Sequence, residues 1–234
     1  MFLFLSFSFP FLPRFDFSLC TGGVQNSAEG IVATIAGGTG AVAKGYAATV
    51  GGGVDSIVKG DYATVAGGYQ NSALKGSGGG EGAIVRGGSS NIVKSSDYGM
   101  IAGGVGNYVF GPLSSVHGGY KNTVLLGYSS AIAGGYRNTA TGEGTFIGGG
   151  FYNSVGSMGT VVGGITNIAT ASYVSVGGGF QHTVSGVYST VLGGRENAAV
   201  AAMSVVGGGS WNTASGSTIA GGSSNYAAGW FGFV

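Results

Sequence analysis

Residues 134–149 read GGYRNTATGEGTFIGG, and this stretch decides the fold. A Gly-Gly doublet opens it, Asn138 stands four residues after the first glycine, and Gly149, the first glycine of the next doublet, closes it. Between them, Thr139-Ala140-Thr141 and Thr145-Phe146-Ile147 are short runs rich in β-branched residues in which alternate positions can face a core. The same arrangement extends in both directions, with doublets beginning at 22, 37, 52, 67, 87, 103, 118, 134, 149, 163, 178, 193, 208 and 221. Such self-similarity marks units that bury their apolar side only by stacking on their neighbours. The pattern predicts an all-β solenoid of about fourteen coils of about fifteen residues.

Aligned coil under coil, each column has a physical meaning. Asparagine occupies the fourth position after the doublet's first glycine in eleven of fourteen coils, and Ala41, Ser56 and His182 replace it in the others. Stacked asparagines suit a corner, where the carboxamide bonds its own turn and forms a ladder from coil to coil. Two residues later every coil has Ala or Val, and two residues before the next doublet the residue is always Val or Ile, as at Ile35, Val50, Val176 and Val191. These are interior columns of two short strands per coil, thin because their period-two neighbours are small, such as Ala33, Ala48 and Ser189.

The pairing of Asn138-Thr-Ala-Thr-Gly142 with Gly144-Thr-Phe-Ile-Gly-Gly149, and the run Tyr188-Ser-Thr-Val-Leu-Gly-Gly194, resemble the left-handed β-roll repeats in the head domains of bacterial trimeric autotransporter adhesins. The resemblance covers residues 21–229. It implies a β-roll, a homotrimer as one form of assembly, and an adhesin-like role toward glycans or a host surface. No heptad stalk and no alternating membrane-anchor strands accompany the repeats, and no catalytic residue carries over.

Glycine supplies 53 of 234 residues without recurring at every third position, so collagen is excluded. Charged residues are 7% and hydrophobic ones 44%, the reverse of a disordered chain. Nine basic against eight acidic side chains provide no field to gather nucleic acid or an anionic membrane. Residues 1–20, MFLFLSFSFPFLPRFDFSLC, stand apart from the repeats. Their apolar run suits a signal peptide and is too short to span a bilayer, so the expectation is a leader, a solenoid over 21–229, and a secreted or extracellular protein. At 230–234, Trp230, Phe231 and Phe233 are expected to cap the open end of the core.

The ionisable residues predict no enzyme, metal or cofactor. His117 and His182 lie four coils apart, and Glu29, Asp55, Asp61, Glu81, Asp97, Glu143 and Glu196 fall singly, mostly at corners. Calcium-binding repeats need an aspartate in register in each turn, and none recurs here. The glycine-rich 76–82 segment lacks the Gly-Lys-Ser/Thr ending and following helix of a phosphate loop.

Function therefore rests on the outward faces. On the strand before each doublet, the outward residue is Thr or Ser in eight coils: Thr34, Thr49, Thr64, Ser115, Thr160, Ser175, Thr190 and Thr218. Ile84, Met100, Ala131, Phe146 and Val205 interrupt the column, and its outward neighbours are mainly small, such as Ala36, Gly51 and Ala66. A flat, uncharged face with hydroxyls at the strand spacing of about 4.8 Å suits ordering water and adsorbing to ice. Burial between protomers of a trimer is one alternative, and an ordinary strand surface, for which Thr is simply well suited, is the other. Thr160, Ser175 and Thr190 are expected to form its flattest stretch. The opposite strand, assigned Glu29, Lys44, Asp55, Lys59, Lys94, Lys121, Arg137 and Glu196, reads as the solvated side. An aromatic series, Tyr69, Tyr120, Tyr136, Phe151 and Phe180, suits stapling of consecutive coils or stacking on sugars.

Overall fold

The structure is a computed structural model that describes residues 17–76 and 80–234, with the side chains of Trp230 and Phe231 outside the described set. Most of the leader, residues 1–16, lies outside it as well. The described chain is a parallel β-solenoid of about fourteen turns, about fifteen residues apart, with no helix. It divides into two compact units, one ending at Gly119 and one spanning Tyr120–Val234.

Three corners bend the chain in every turn, and each uses left-handed backbone. The first is the second glycine of the doublet, for example Gly38 at φ 101°. A Cβ there would run into the carbonyl oxygen of Gly53 in the next turn, so the position excludes any other residue. The second is the residue before the asparagine column, such as Gln70, Arg137 or Glu196, all with φ between 52° and 53°. The third precedes the second strand, as at Ala47 and Tyr188. Left-handed conformation costs these non-glycine residues about 1–2 kcal/mol each. It is held because it turns their N–H back toward the preceding turn: Gln70 donates to the carbonyl of Val54, Arg137 to Tyr120, and Ala47 to Ile31.

Between the corners lie the two expected strands and a third contact that the column pattern does not reveal. The first strand of a turn is typified by Val42–Ala43 and the second by Thr49–Val50, each pairing in parallel with its counterpart one turn away. Immediately after the doublet, a single residue bridges to the next turn, giving the series Val24, Thr39, Val54, Tyr69, Ser89 and Val105 in the first unit. In the second unit the series runs from Tyr120 through Tyr136, Phe151 and Ile165 to Ser223.

The core is the set of inward columns read from the sequence. Val50, Val65, Val85 and Ile101 on the second strand, and Ala43, Val58, Ala73 and Val93 on the first, are fully buried. Each buried Val or Ile contributes about 1.5–3 kcal/mol relative to exposure.

The asparagines also point inward, so they are core residues and the left-handed corner falls on the residue before them. In Asn71 the carboxamide nitrogen donates to the carbonyl of Gly67 in its own turn at 2.8 Å and to Gly88 of the next turn at 2.9 Å. Its Oδ1 accepts the backbone N–H of Asn91 at 3.0 Å. The same bonds recur at Asn153, which links Gly149, Gly164 and Asn167. One side chain thereby pairs a carbonyl of its own turn and an N–H of the next, and adds a second donor to a next-turn carbonyl that already accepts a backbone N–H, as Gly88 does from Tyr69.

At the beginning of the described chain, Leu19–Cys20 pair with Thr34–Ile35, so the first rung includes Cys20. At the other end, Tyr226–Phe233 pairs with Thr213–Ile219. Phe233 does not enter the core, because its side chain is 76% exposed. The remaining aromatics of the expected cap, Trp230 and Phe231, fall among the side chains outside the described set.

Candidate surface-binding faces

In the first unit, strand pairing sets Thr34, Thr49 and Thr64 directly over one another on the outward side of the second strand. Rungs about 4.8 Å apart fix the spacing of their hydroxyls. These oxygens have no hydrogen-bond partner among the described residues and are available to solvent. Beside them on the same face stand the exposed Ala36, Gly51 and Ala66, which raise nothing above the plane. Further along, Ile84 and Met100 occupy the column before Ser115, and the flank becomes Arg86 and His117. The regular stretch is therefore three rungs long.

The second unit differs from the expectation. Thr160, Ser175 and Thr190 do pair rung to rung, and Val205 separates them from Thr218. Their outward neighbours, however, include Val162 at 57% and Leu192 at 61% exposure. Two branched apolar side chains stand beside the hydroxyls, so this is not the flattest stretch. Phe146, 42% exposed, roughens the column further.

The opposite face also needs reassignment. In the first unit Glu29, Lys44, Lys59 and Lys94 lie outward on or immediately after the first strand, and all four are exposed. Lys44 bridges to Glu29 at 2.8 Å, which holds the Glu29 carboxyl below its ordinary range. Asp55, Lys121, Arg137 and Glu196 are not strand residues, because each occupies the left-handed corner before the inward column. With those removed, the first-strand face of the second unit carries no ionisable side chain from Thr123 to Ser215.

Tyr120, Tyr136, Phe151 and Phe180 of the aromatic series staple consecutive turns, and Tyr69 stands 48% exposed. The rings of Tyr120 and Tyr136 stack at 5.0 Å with planes 11° apart, and Phe151 follows Tyr136 at 5.9 Å. Arg137 lies over both Tyr136 and Tyr152, while Arg195 lies over Phe180 and Trp211. Rings that cover one another, or lie beneath a guanidinium, have part of their faces occupied, although Phe151, Tyr152 and Trp211 remain about half exposed. They join consecutive turns, each pair contributing about 0.5–1.5 kcal/mol.

The corner carboxylates are engaged separately. Asp61 accepts from Lys75 at 2.6 Å and from the Tyr46 N–H at 2.9 Å, rather than meeting Asp55. Lys75 lowers the Asp61 carboxyl and is itself raised by it. Asp97 accepts the N–H groups of Gly80 and Glu81. Among the described residues, no three of His, Cys, Asp and Glu come together as a metal site. No helix there is long and apolar enough to cross a membrane. A comparison of the chain with protein-family models and with curated proteins finds no match.

Proposed function

We propose that this protein is a secreted, non-enzymatic ice-binding protein that adsorbs through the second-strand face of its first unit. The observation that supports this reading is the in-register column Thr34, Thr49 and Thr64 with Ala36, Gly51 and Ala66 beside it. Ice is a neutral, repeating partner, and a neutral, repeating set of hydroxyls and methyls is suited to it. Preorganisation matters because a flexible array would lose its ordering entropy on adsorption. Here the rungs are fixed by backbone hydrogen bonds such as Thr34 N–H to Ala48 and Thr49 N–H to Ala63. A charged side chain would hold its own hydration shell against the lattice, and this stretch has none.

The resemblance to adhesin head repeats supports a solenoid that works at an extended surface. Ice binding requires the threonine face to be open, so the active form is a monomer. The test is ice growth in the purified protein, followed for faceting and for a gap between melting and freezing points, together with sedimentation. Faceting by a monomer supports the reading. A trimer without ice activity overturns it in favour of an adhesin-like, carbohydrate- or surface-binding module with the threonine face at its seam.

A further inference from the structure

We infer that the second unit carries a separate ice-binding face on its first strands, an inference that rests on the ice-binding reading above. Thr139, Ser154, Ile168, Thr183, Ala198 and Thr213 pair rung to rung along the outward column of these strands. Two residues further along each turn, Thr141, Thr170, Ser185 and Ser215 belong to a parallel outward column. Its register is fixed by the same ladder, with the Thr141 N–H bonded to Val155, Thr170 to Val184 and Ser185 to Ala199.

From Thr123 to Ser215 this face has hydroxyls at nine of its fourteen outward positions, and the second-strand face of the same unit has four of fourteen. In the second unit the hydroxyl-rich face is thus the one opposite the interrupted threonine column. The two columns form a net of about 4.8 Å between rungs by about 6.7 Å along the strand. Some of its hydroxyls are also held in place: Thr141 Oγ1 donates to the Val155 carbonyl at 3.1 Å and Ser185 Oγ to Val200 at 3.3 Å. Their lone pairs are left for water in fixed positions.

The occupant follows from charge and periodicity. With no ionisable group on either column, the face offers nothing to a phosphate, a sulfated glycan or an acidic peptide. A folded protein partner would need shape and clustered apolar anchors, whereas the exposed Leu125, Ile168 and Val200 stand on separate, non-adjacent rungs, at 37%, 39% and 41% exposure. A two-dimensional neutral hydroxyl net matches a partner that is itself a neutral net of hydroxyls, and an ice surface has that chemistry.

The experiment compares full-length T183Y and T170Y, T49Y on the first unit's face, and the T49Y/T183Y pair. Circular dichroism verifies that each is folded, and freezing hysteresis and adsorption of fluorescently labelled protein to an ice crystal are measured. Independent faces predict a fall to about half of parent activity in T183Y and in T49Y, with loss in the pair. T170Y reproduces T183Y if the net is the site. Loss in T49Y with parent activity in both T183Y and T170Y overturns the second face and leaves the first. An inactive parent overturns both, and an effect of T183Y without one of T49Y upholds this face against the other.

Discussion

His182 Nδ1 accepts the backbone N–H of Asn197 at 3.0 Å, the bond that a carboxamide oxygen accepts in neighbouring turns. The imidazole is fully buried in the asparagine column, and the backbone N–H of His182 donates to Asn167 Oδ1 at 3.0 Å. Its Nε2 meets no full hydrogen-bond geometry among the described residues, although the backbone of Gly178 and Gly194 lies against the ring. Accepting through Nδ1 requires the neutral ring, since an imidazolium would present a second N–H to the Asn197 N–H.

Burial accordingly lowers the pKa of His182 from its ordinary 6.5. The unfolded chain then takes up a proton before the folded one, so stability is full above that value and is lost as pH falls toward the folded pKa. Glu196 on the adjacent corner faces Arg195 and Trp211, and its pKa is lowered from 4.5 by the Trp211 indole bond. It therefore contributes at more acid pH. The melting temperature of the parent should fall between about pH 7.5 and pH 5.5, and His182→Asn should melt higher and lose that dependence. An unchanged slope in His182→Asn contradicts the role given to the imidazole.

Removing one rung of the asparagine ladder should be costly. Asn153→Ala strands the carbonyl of Gly149 and the N–H of Asn167 and takes one of two donors from the Gly164 carbonyl, which keeps the Phe151 N–H, for an expected loss of about 2–4 kcal/mol. Conversely, Ala41 is a gap in the column, and Ala41→Asn should stabilise by about 1 kcal/mol. Urea unfolding measures both; equal midpoints for parent and Asn153→Ala would refute the ladder.

A charge in the thin interior has no partner. Val176→Asp or Val191→Asp places a carboxylate in a fully desolvated column, and loss of the β-type circular dichroism signal at ambient temperature is expected. A variant that melts with the parent would show that these columns are not the core.

Tyr136→Ala removes contacts with Tyr120, Phe151, Tyr152 and Arg137. As a staple it should cost about 1–2 kcal/mol and leave surface binding unchanged. Loss of glycan binding at parent stability would instead make it a recognition residue.

The turns were legible because glycine doublets and Val/Ile columns each have one physical use, close backbone approach and burial. The direction of Asn71 and its equivalents was less legible. A carboxamide belongs inside only when backbone groups from two turns converge on it, and no single turn displays that convergence. The misassigned charges have a related cause: Lys121 and Arg137 precede the inward asparagine by one residue, and only the left-handed backbone there shows that the strand has not begun. The column beside Thr160 and Thr190 is mostly small in sequence, while the local exceptions Val162 and Leu192 decide its relief.

The central claim is the threonine face of the first unit, and its most direct test is freezing hysteresis of Thr49→Tyr against Lys44→Tyr. Thr49 is the middle rung between Thr34 and Thr64, and a tyrosine there raises a ring above the plane without entering the core. Lys44 is an exposed control on the other face of the same unit, so both changes should alter stability by less than about 0.5 kcal/mol. A fall of hysteresis to about half or less in Thr49→Tyr, with parent activity in Lys44→Tyr, is the predicted result. Equal activity in the two variants, or none in the parent, would contradict it.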